Sequence, residues 1–130
     1  MDIPLDDAKP TEFDAFVLPG GLMNPDELRS DPAAVKFVRV FGKAGKLIAA
    51  ICHAPWVLIE AGLVKGLRLI SWPAIKTDIK NAGGTWVDKD VVFSDGIITS
   101  RSPDDIPAFN AKMIEEFGRA SSEVGRQLRR

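Results

Sequence analysis

Lys46-Leu-Ile-Ala-Ala-Ile-Cys-His-Ala-Pro-Trp56 runs from an apolar segment straight into a helix start. At the join stand the only cysteine and the only histidine of the 130-residue chain, Cys52 and His53. The apolar run Leu47 to Ile51 reads as a strand buried on both faces, as in a parallel sheet. Pro55 falls in the first turn of the following helix, where its missing N–H costs nothing. A thiol at such a junction faces helix N–H groups and the positive end of the helix dipole, and both favour the nucleophilic thiolate. Ala49, Ala50 and Ala54 let backbone pass close around the turn. The same pattern also suits a buried structural thiol, because free cysteine is among the most buried residue types. The stretch alone leaves both readings open.

Composition bounds the rest. A chain of 130 residues with 45 % hydrophobic content suffices for one globular domain with a real core. The net charge of −1, from 17 basic and 18 acidic residues, gives no electrostatic case for nucleic acid or an anionic membrane. A single cysteine cannot form an internal disulfide and fits a reducing compartment. The acidic start, Met1 to Asp7, lacks the basic-then-apolar pattern of a signal peptide, and no apolar run approaches the ~20 residues that span a bilayer. The expectation is a cytoplasmic protein. One His and one Cys, adjacent, do not make a metal site with the usual three or four ligands.

Outward from Cys52, the pattern alternates. Residues 1–12, with four acids, one lysine and prolines at 4 and 10, read as an extended lead-in. Phe13 to Leu18 reads as a strand ending in Pro19-Gly20-Gly21, a turn in which backbone can approach a ligand closely. Asn24 is placed as the N-cap of a short helical turn, with Pro25 at its first position. Asp31-Pro32 opens a second helix whose stripe is Val35, Phe37, Val38 and Phe41, ended by Gly42 and Gly45. After Cys52 comes a helix that is apolar nearly all round (Trp56, Val57, Leu58, Ile59, Ala61), closed by Gly62. Leu67 to Ser71 reads as a third strand, broken by Trp72-Pro73, and Ile75 to Ala82 as a helix. Thr85 to Phe93 is β-rich, Ser94-Asp95-Gly96 is a hairpin turn of the Asp-Gly type, and Ile97 to Ser100 pairs back. A last helix from about Pro103 to Phe117 carries Ile106, Phe109, Met113, Ile114 and Phe117 as its core face, with Gly118 as cap. The division is a domain over 1–118 and a polar, fraying tail over 119–130.

Strands alternating with helices imply an α/β fold, a mostly parallel sheet with helices on both faces. Ligands in such sheets sit at strand carboxyl ends. Pro19-Gly20-Gly21, Cys52-His53, Trp72-Pro73 and Ser100-Arg101 all fall at such ends, so four segments would line one edge.

Taken together, Asp14-Ala-Phe-Val-Leu-Pro-Gly-Gly21, Asn24-Pro-Asp-Glu-Leu-Arg29, Ala50-Ile-Cys-His-Ala-Pro55, Ser71-Trp-Pro-Ala-Ile-Lys76, Asn81-Ala-Gly83 and Thr99-Ser-Arg-Ser-Pro103 resemble the DJ-1/PfpI family, closest to its PfpI-like branch. The likeness covers Phe13 to about Phe117. It implies a flavodoxin-like three-layer α/β/α fold related to class I glutamine amidotransferase domains. It also implies a cofactor-free cysteine hydrolase or a glyoxalase/deglycase-type enzyme acting on an electrophilic carbonyl of a small molecule or peptide. By the resemblance Cys52 is the elbow nucleophile, and His53 the base or orienting partner beside it. The N–H groups of Gly21 and His53 form the oxyanion hole. Asp26 reaches the histidine of a neighbouring subunit in a homo-oligomer. A carboxylate on His fixes its tautomer and supports the imidazolium, and preorganised N–H donors stabilise an oxyanion. Asp26 would equally serve as a first-turn acid favoured by the helix dipole. Trp72 and Pro73 would line the pocket, with Trp72 and Trp86 as core or rim residues. Arg101 would either line the pocket or cover the sheet edge.

The family domain begins with a strand, a glutamate-bearing turn and a helix, and that glutamate tunes the elbow thiol. Twelve residues before Phe13 are too few for a βαβ unit of roughly 30, so the chain resembles an N-terminally truncated domain. The missing strand is expected beside the strand that carries the nucleophile, leaving exposed edges that recruit other chains. A truncated product or fragment, a split protein completed by a partner chain, or a partner copy covering the gap would each account for this. The alternative functions are a stress-associated redox sensor or chaperone-like protein, in which Cys52 is oxidised, and an inactive fragment.

Overall fold

The structure, a computed structural model, describes residues 15–18 and 23–128. The lead-in, Phe13, Asp14 and the Pro19-Gly20-Gly21 turn lie outside the described residues. Six strands and five helices follow in the order β1 (Ala15–Leu18), α1 (Met23–Arg29), α2 (Pro32–Lys43), β2 (Leu47–Ile51), α3 (Pro55–Glu60), β3 (Arg68–Leu69), α4 (Lys76–Asn81), β4 (Thr85–Trp86), β5 (Val91–Ser94), β6 (Ile97–Ser100) and α5 (Ile106–Leu128). Single 3₁₀ turns over Pro73–Ile75 and Pro103–Asp105 precede α4 and α5.

The main sheet runs β1-β2-β6-β5. β1, β2 and β6 are parallel, and β5 returns antiparallel through the hairpin. Asp95 (φ 47°) and Gly96 (φ 83°) both adopt left-handed backbone, as a two-residue Asp-Gly turn requires. β2 alternates between two cores. Ile48 and Ala50 join Phe16, Leu18 and Ile97 beneath α2 and α3, with Val35, Val38, Phe41, Val57 and Leu58. Ala49 and Ile51 face the other way with Ile98, against Phe109, Met113 and Phe117 of α5. A strand buried on both faces, as the run Leu47–Ile51 implied, therefore separates two helical layers, and the fold is the expected three-layer α/β/α. The Phe16, Phe37 and Phe41 rings cluster within 5.3 to 5.8 Å of one another, an aromatic group that anchors β1 on α2.

Several local expectations are corrected. α1 begins at Met23, so Asn24 lies inside the helix and is not its N-cap. Asp31 does cap α2, accepting the Ala33 N–H at 3.0 Å. α2 runs through Gly42 to Lys43, and Gly45 (φ 75°) makes the turn into β2. The third strand is only Arg68–Leu69 and pairs with β4 in a separate two-stranded parallel sheet. Serine and threonine hydroxyls hold it beside the hairpin: Arg68 N–H donates to Ser94 Oγ (3.3 Å) and Ile70 N–H to Thr99 Oγ1 (3.0 Å). Ile106 and Ile114 are exposed; the 109–113–117 line alone faces the sheet, the i, i+4 ridge of one helix face. Gly118 does not end α5. Lys112–Glu116 and Arg119–Glu115 pairs brace the helix around it. β2 has β1 on one side and β6 on the other, so among the described residues the sheet's outer strands are β1 and β5, not the strand that leads into Cys52.

Candidate active site

Three chain segments meet at the end of β2. The Cys52 N–H donates to the carbonyl of Ser100, the last residue of β6, at 3.1 Å, and the Cys52 carbonyl accepts the Trp72 N–H at 2.9 Å. The convergence of strand ends thus holds for Cys52, Trp72 and Ser100, while Gly21 lies outside the described residues. Cys52 has φ 65°, one of two non-glycine residues described with positive φ. An L-residue held in this region carries a cost of order 1–3 kcal/mol, and such outliers cluster at functional sites. The turn lifts the side chain off the sheet at the strand-to-helix junction, as a nucleophile elbow does. Ala54 and Pro55, which follow in the chain, are buried.

Cys52 Sγ lies 3.2 Å from Nδ1 of His53, and both side chains are half-buried. With its proton on Nε2, the imidazole accepts from the thiol through Nδ1. Protonated, it donates to the thiolate. Burial pushes the His53 pKa below its usual value, so the imidazole is neutral and ready to accept at neutral pH. The Cys52 N–H is committed to Ser100, and the Ala54 N–H donates to Ile51. Among the described residues the intervening His53 N–H makes no such backbone bond.

The imidazole lies between two indoles. Trp56 sits at 5.1 Å between ring centroids, tilted by 57°, and Trp72 at 5.8 Å, stacked at 25°. Arg29 of α1 lies 4.0 Å over the Trp56 ring, and the Trp56 N–H donates to Asp78 of α4 at 3.0 Å. Asp26 is exposed and ion-paired to Arg29 at 2.6 Å; within one chain it reaches the imidazole only through Arg29 and Trp56.

Trp72, Pro73 and Arg101 line one cavity of about 380 Å³ with Ser102, Asp104 and Asp105. Trp72 joins this cavity to the imidazole. Arg101 is locked: Nε and Nη2 donate to Asp105 at 2.8 and 2.9 Å, and Nη1 donates to Asp88 at 3.2 Å. The Arg101 guanidinium, together with the backbone N–H groups of Arg101 and Ser102, holds the Asp105 carboxyl below the usual carboxylate range despite its burial. The same carboxylates push the Arg101 pKa up. A larger hollow of about 540 Å³ is lined by Arg29, Pro32, Arg39 and Glu60 and includes neither Cys52 nor His53. Among the described residues no cluster of His, Cys, Asp and Glu could hold a metal ion. No helix of the described residues is long and apolar enough to cross a membrane.

Arg29, Trp56, Asp78 and Asp105 were not singled out as site residues from sequence. The i, i+4 spacing of Arg101 and Asp105 and the i, i+3 spacing of His53 and Trp56 hinted at those two contacts. The others meet through tertiary contact.

The DJ-1/PfpI family model matches residues 1–116. The chain belongs to this family. It is 44 % identical over 119 residues to protein/nucleic acid deglycase 2 of Escherichia coli, covering 91 % of this chain and 69 % of that protein. It is 43 % identical to general stress protein 18 of Bacillus subtilis, covering 88 % and 66 %. Among solved structures, the two-domain protein of Anabaena variabilis with DJ-1/ThiJ/PfpI-like and ferritin-like domains superposes with a TM-score of 0.85 at 41 % identity, over 88 % of this chain and 32 % of that one. DJ-1beta of Drosophila melanogaster superposes with a TM-score of 0.77 at 37 % identity, over 89 % and 63 %. The chain therefore spans about two thirds of the length of its DJ-1/PfpI relatives, and the fold is the flavodoxin-like one expected of them.

Proposed function

We propose that this DJ-1/PfpI chain is a cysteine-dependent enzyme of the deglycase type, acting on an electrophilic carbonyl in a small molecule or peptide adduct. The observation that carries the reading is the elbow: a cysteine at φ 65° with its thiol 3.2 Å from a neutral imidazole. The names of the relatives, protein/nucleic acid deglycase 2 and the deglycase PfpI of Pyrococcus furiosus, supply the reaction class. His53 takes the thiol proton. The thiolate adds to the carbonyl carbon, a C–S bond forms, and the carbonyl π pair moves to oxygen. By the family resemblance, the N–H groups of His53 and Gly21 receive the oxyanion. The cavity beside Trp72 holds the rest of the substrate. Asp26, exposed on α1, is available to a neighbouring subunit's histidine in a homo-oligomer. A reducing, cytoplasmic setting suits the free thiol, and a stress-linked role fits the name of the Bacillus subtilis relative.

The test is amine release from methylglyoxal-modified N-acetyl-lysine by the wild-type chain and by Cys52→Ala. Turnover by the wild type that falls to background in Cys52→Ala is expected. Equal rates in the two refute the reading. Absence of turnover with peroxide oxidation confined to Cys52 favours the redox-sensor alternative.

A further inference from the structure

A His that must carry charge beside a thiolate usually leans on a carboxylate. Among the described residues no carboxylate bonds His53. Two tryptophans flank it instead: Trp56 from the first turn of α3 and Trp72 from the segment after β3. The ring centroids lie 5.1 Å (Trp56, tilted) and 5.8 Å (Trp72, stacked) from that of the imidazole, within the ~6 Å range over which an aromatic ring attracts a cation.

We propose that Trp56 and Trp72 are positioning residues that hold the His53 imidazole against Cys52 Sγ and stabilise the imidazolium that forms when it takes the thiol proton. The step moves one proton from sulfur to Nδ1; the S–H bond breaks, an N–H bond forms, and net charge is conserved.

The surrounding charges set which indole matters more. On the Trp56 side, Arg29 already lies over the ring and is itself neutralised by Asp26, while Asp78 accepts the indole N–H. Arg29 competes for that π face and repels an imidazolium. On the Trp72 side stand Arg101, neutralised by Asp105 and Asp88, and Asp104 across the cavity. No cation lies over Trp72 among the described residues, so the larger share falls to Trp72. Burial works against the imidazolium, and the two indoles offset it.

The inference rests on Cys52 being the nucleophile, but it is read without any substrate, so failure of turnover and failure of this positioning are distinguishable. The experiment is the pH dependence of iodoacetamide alkylation of Cys52 in the full chain. Trp72→Ala should raise the midpoint by about half a pH unit, a roughly threefold slower reaction below it. Trp72→Phe, which keeps a π face, should restore most of the shift. In a His53→Asn background Trp72→Ala should leave the midpoint where it is. Trp72 is 39 % exposed, so its truncation spares the core; Trp56→Phe supplies a second series. A midpoint that stays or falls in Trp72→Ala, a phenylalanine variant no better than alanine, or a shift that persists without His53 each overturns the proposal.

Discussion

Asp105→Asn probes the joint that holds the edge of the site. Asp105 is 6 % exposed and accepts three hydrogen bonds from Arg101: Nε at 2.8 Å, Nη2 at 2.9 Å and the backbone N–H at 3.1 Å. Ser100, the residue before Arg101, carries the carbonyl that binds the Cys52 N–H. The carboxylate therefore pins the end of β6 to the helix start and, through it, the elbow. Asparagine keeps the shape but loses the charge, and its NH₂ group turns a donor toward a donor. Hydrogen bonds to a charged group contribute about 1.5–3 kcal/mol each. The three are not additive, and water can reach the partner guanidinium, so a loss near the worth of one bond is expected, ~2 kcal/mol. For a domain of this size that is a fall of roughly 6–10 °C in Tm. The sign with pH follows from the depressed folded pKa of Asp105. Its contribution is fully present above the unfolded value near ~4 and is lost as pH falls through the folded value. Urea unfolding followed by tryptophan fluorescence, at pH 7 and through the acid range, reads both. The reasoning is refuted by a difference under ~0.5 kcal/mol at pH 7, or by a wild-type advantage that grows on acidification.

Two further substitutions test the frame around the elbow. Ser100 Oγ is buried and makes no hydrogen bond among the described residues, so Ser100→Ala should leave the stability unchanged or raise it by up to ~1 kcal/mol, whereas a loss of that size would mean the hydroxyl is bonded in solution. Gly96 holds φ 83° in the hairpin, and its carbonyl accepts the Ile48 N–H of the cysteine-bearing strand at 3.0 Å. Gly96→Ala should cost about 1–2 kcal/mol in the same assay, and unchanged stability would contradict the left-handed turn.

Much of the elbow was legible because local rules and the global fold agree there. Leu47–Ile51 is too apolar for a one-sided strand, Pro55 starts a helix at once, and Cys52 is left at the only place a turn fits. Asp31-Pro32 and Asp95-Gly96 were equally readable, since capping and left-handed turns have residue-specific physics. The third strand was not. Leu67–Ser71 has strand composition, but hydroxyls of Ser94 and Thr99 replace a ladder there, and side-chain bonds between distant segments leave no periodicity. The aromatic bracket of His53 was hidden for the same reason, since Trp72 meets it from another element. Gly118 looked like a stop, yet one glycine costs a helix only ~1 kcal/mol, and ion pairs along α5 offset part of that. The open edge expected beside the cysteine-bearing strand is not there, because composition does not give strand order. β2 is flanked on both sides.

The most direct test of the nucleophile uses the fact that Cys52 is the chain's only cysteine. Iodoacetamide can therefore titrate it without mutation, with intact mass giving the alkylated fraction and amine release from methylglyoxal-modified N-acetyl-lysine giving the activity. Activity should fall in direct proportion to alkylation and reach background when every molecule carries one label. Turnover that survives complete alkylation would contradict the assignment of the chemistry to Cys52.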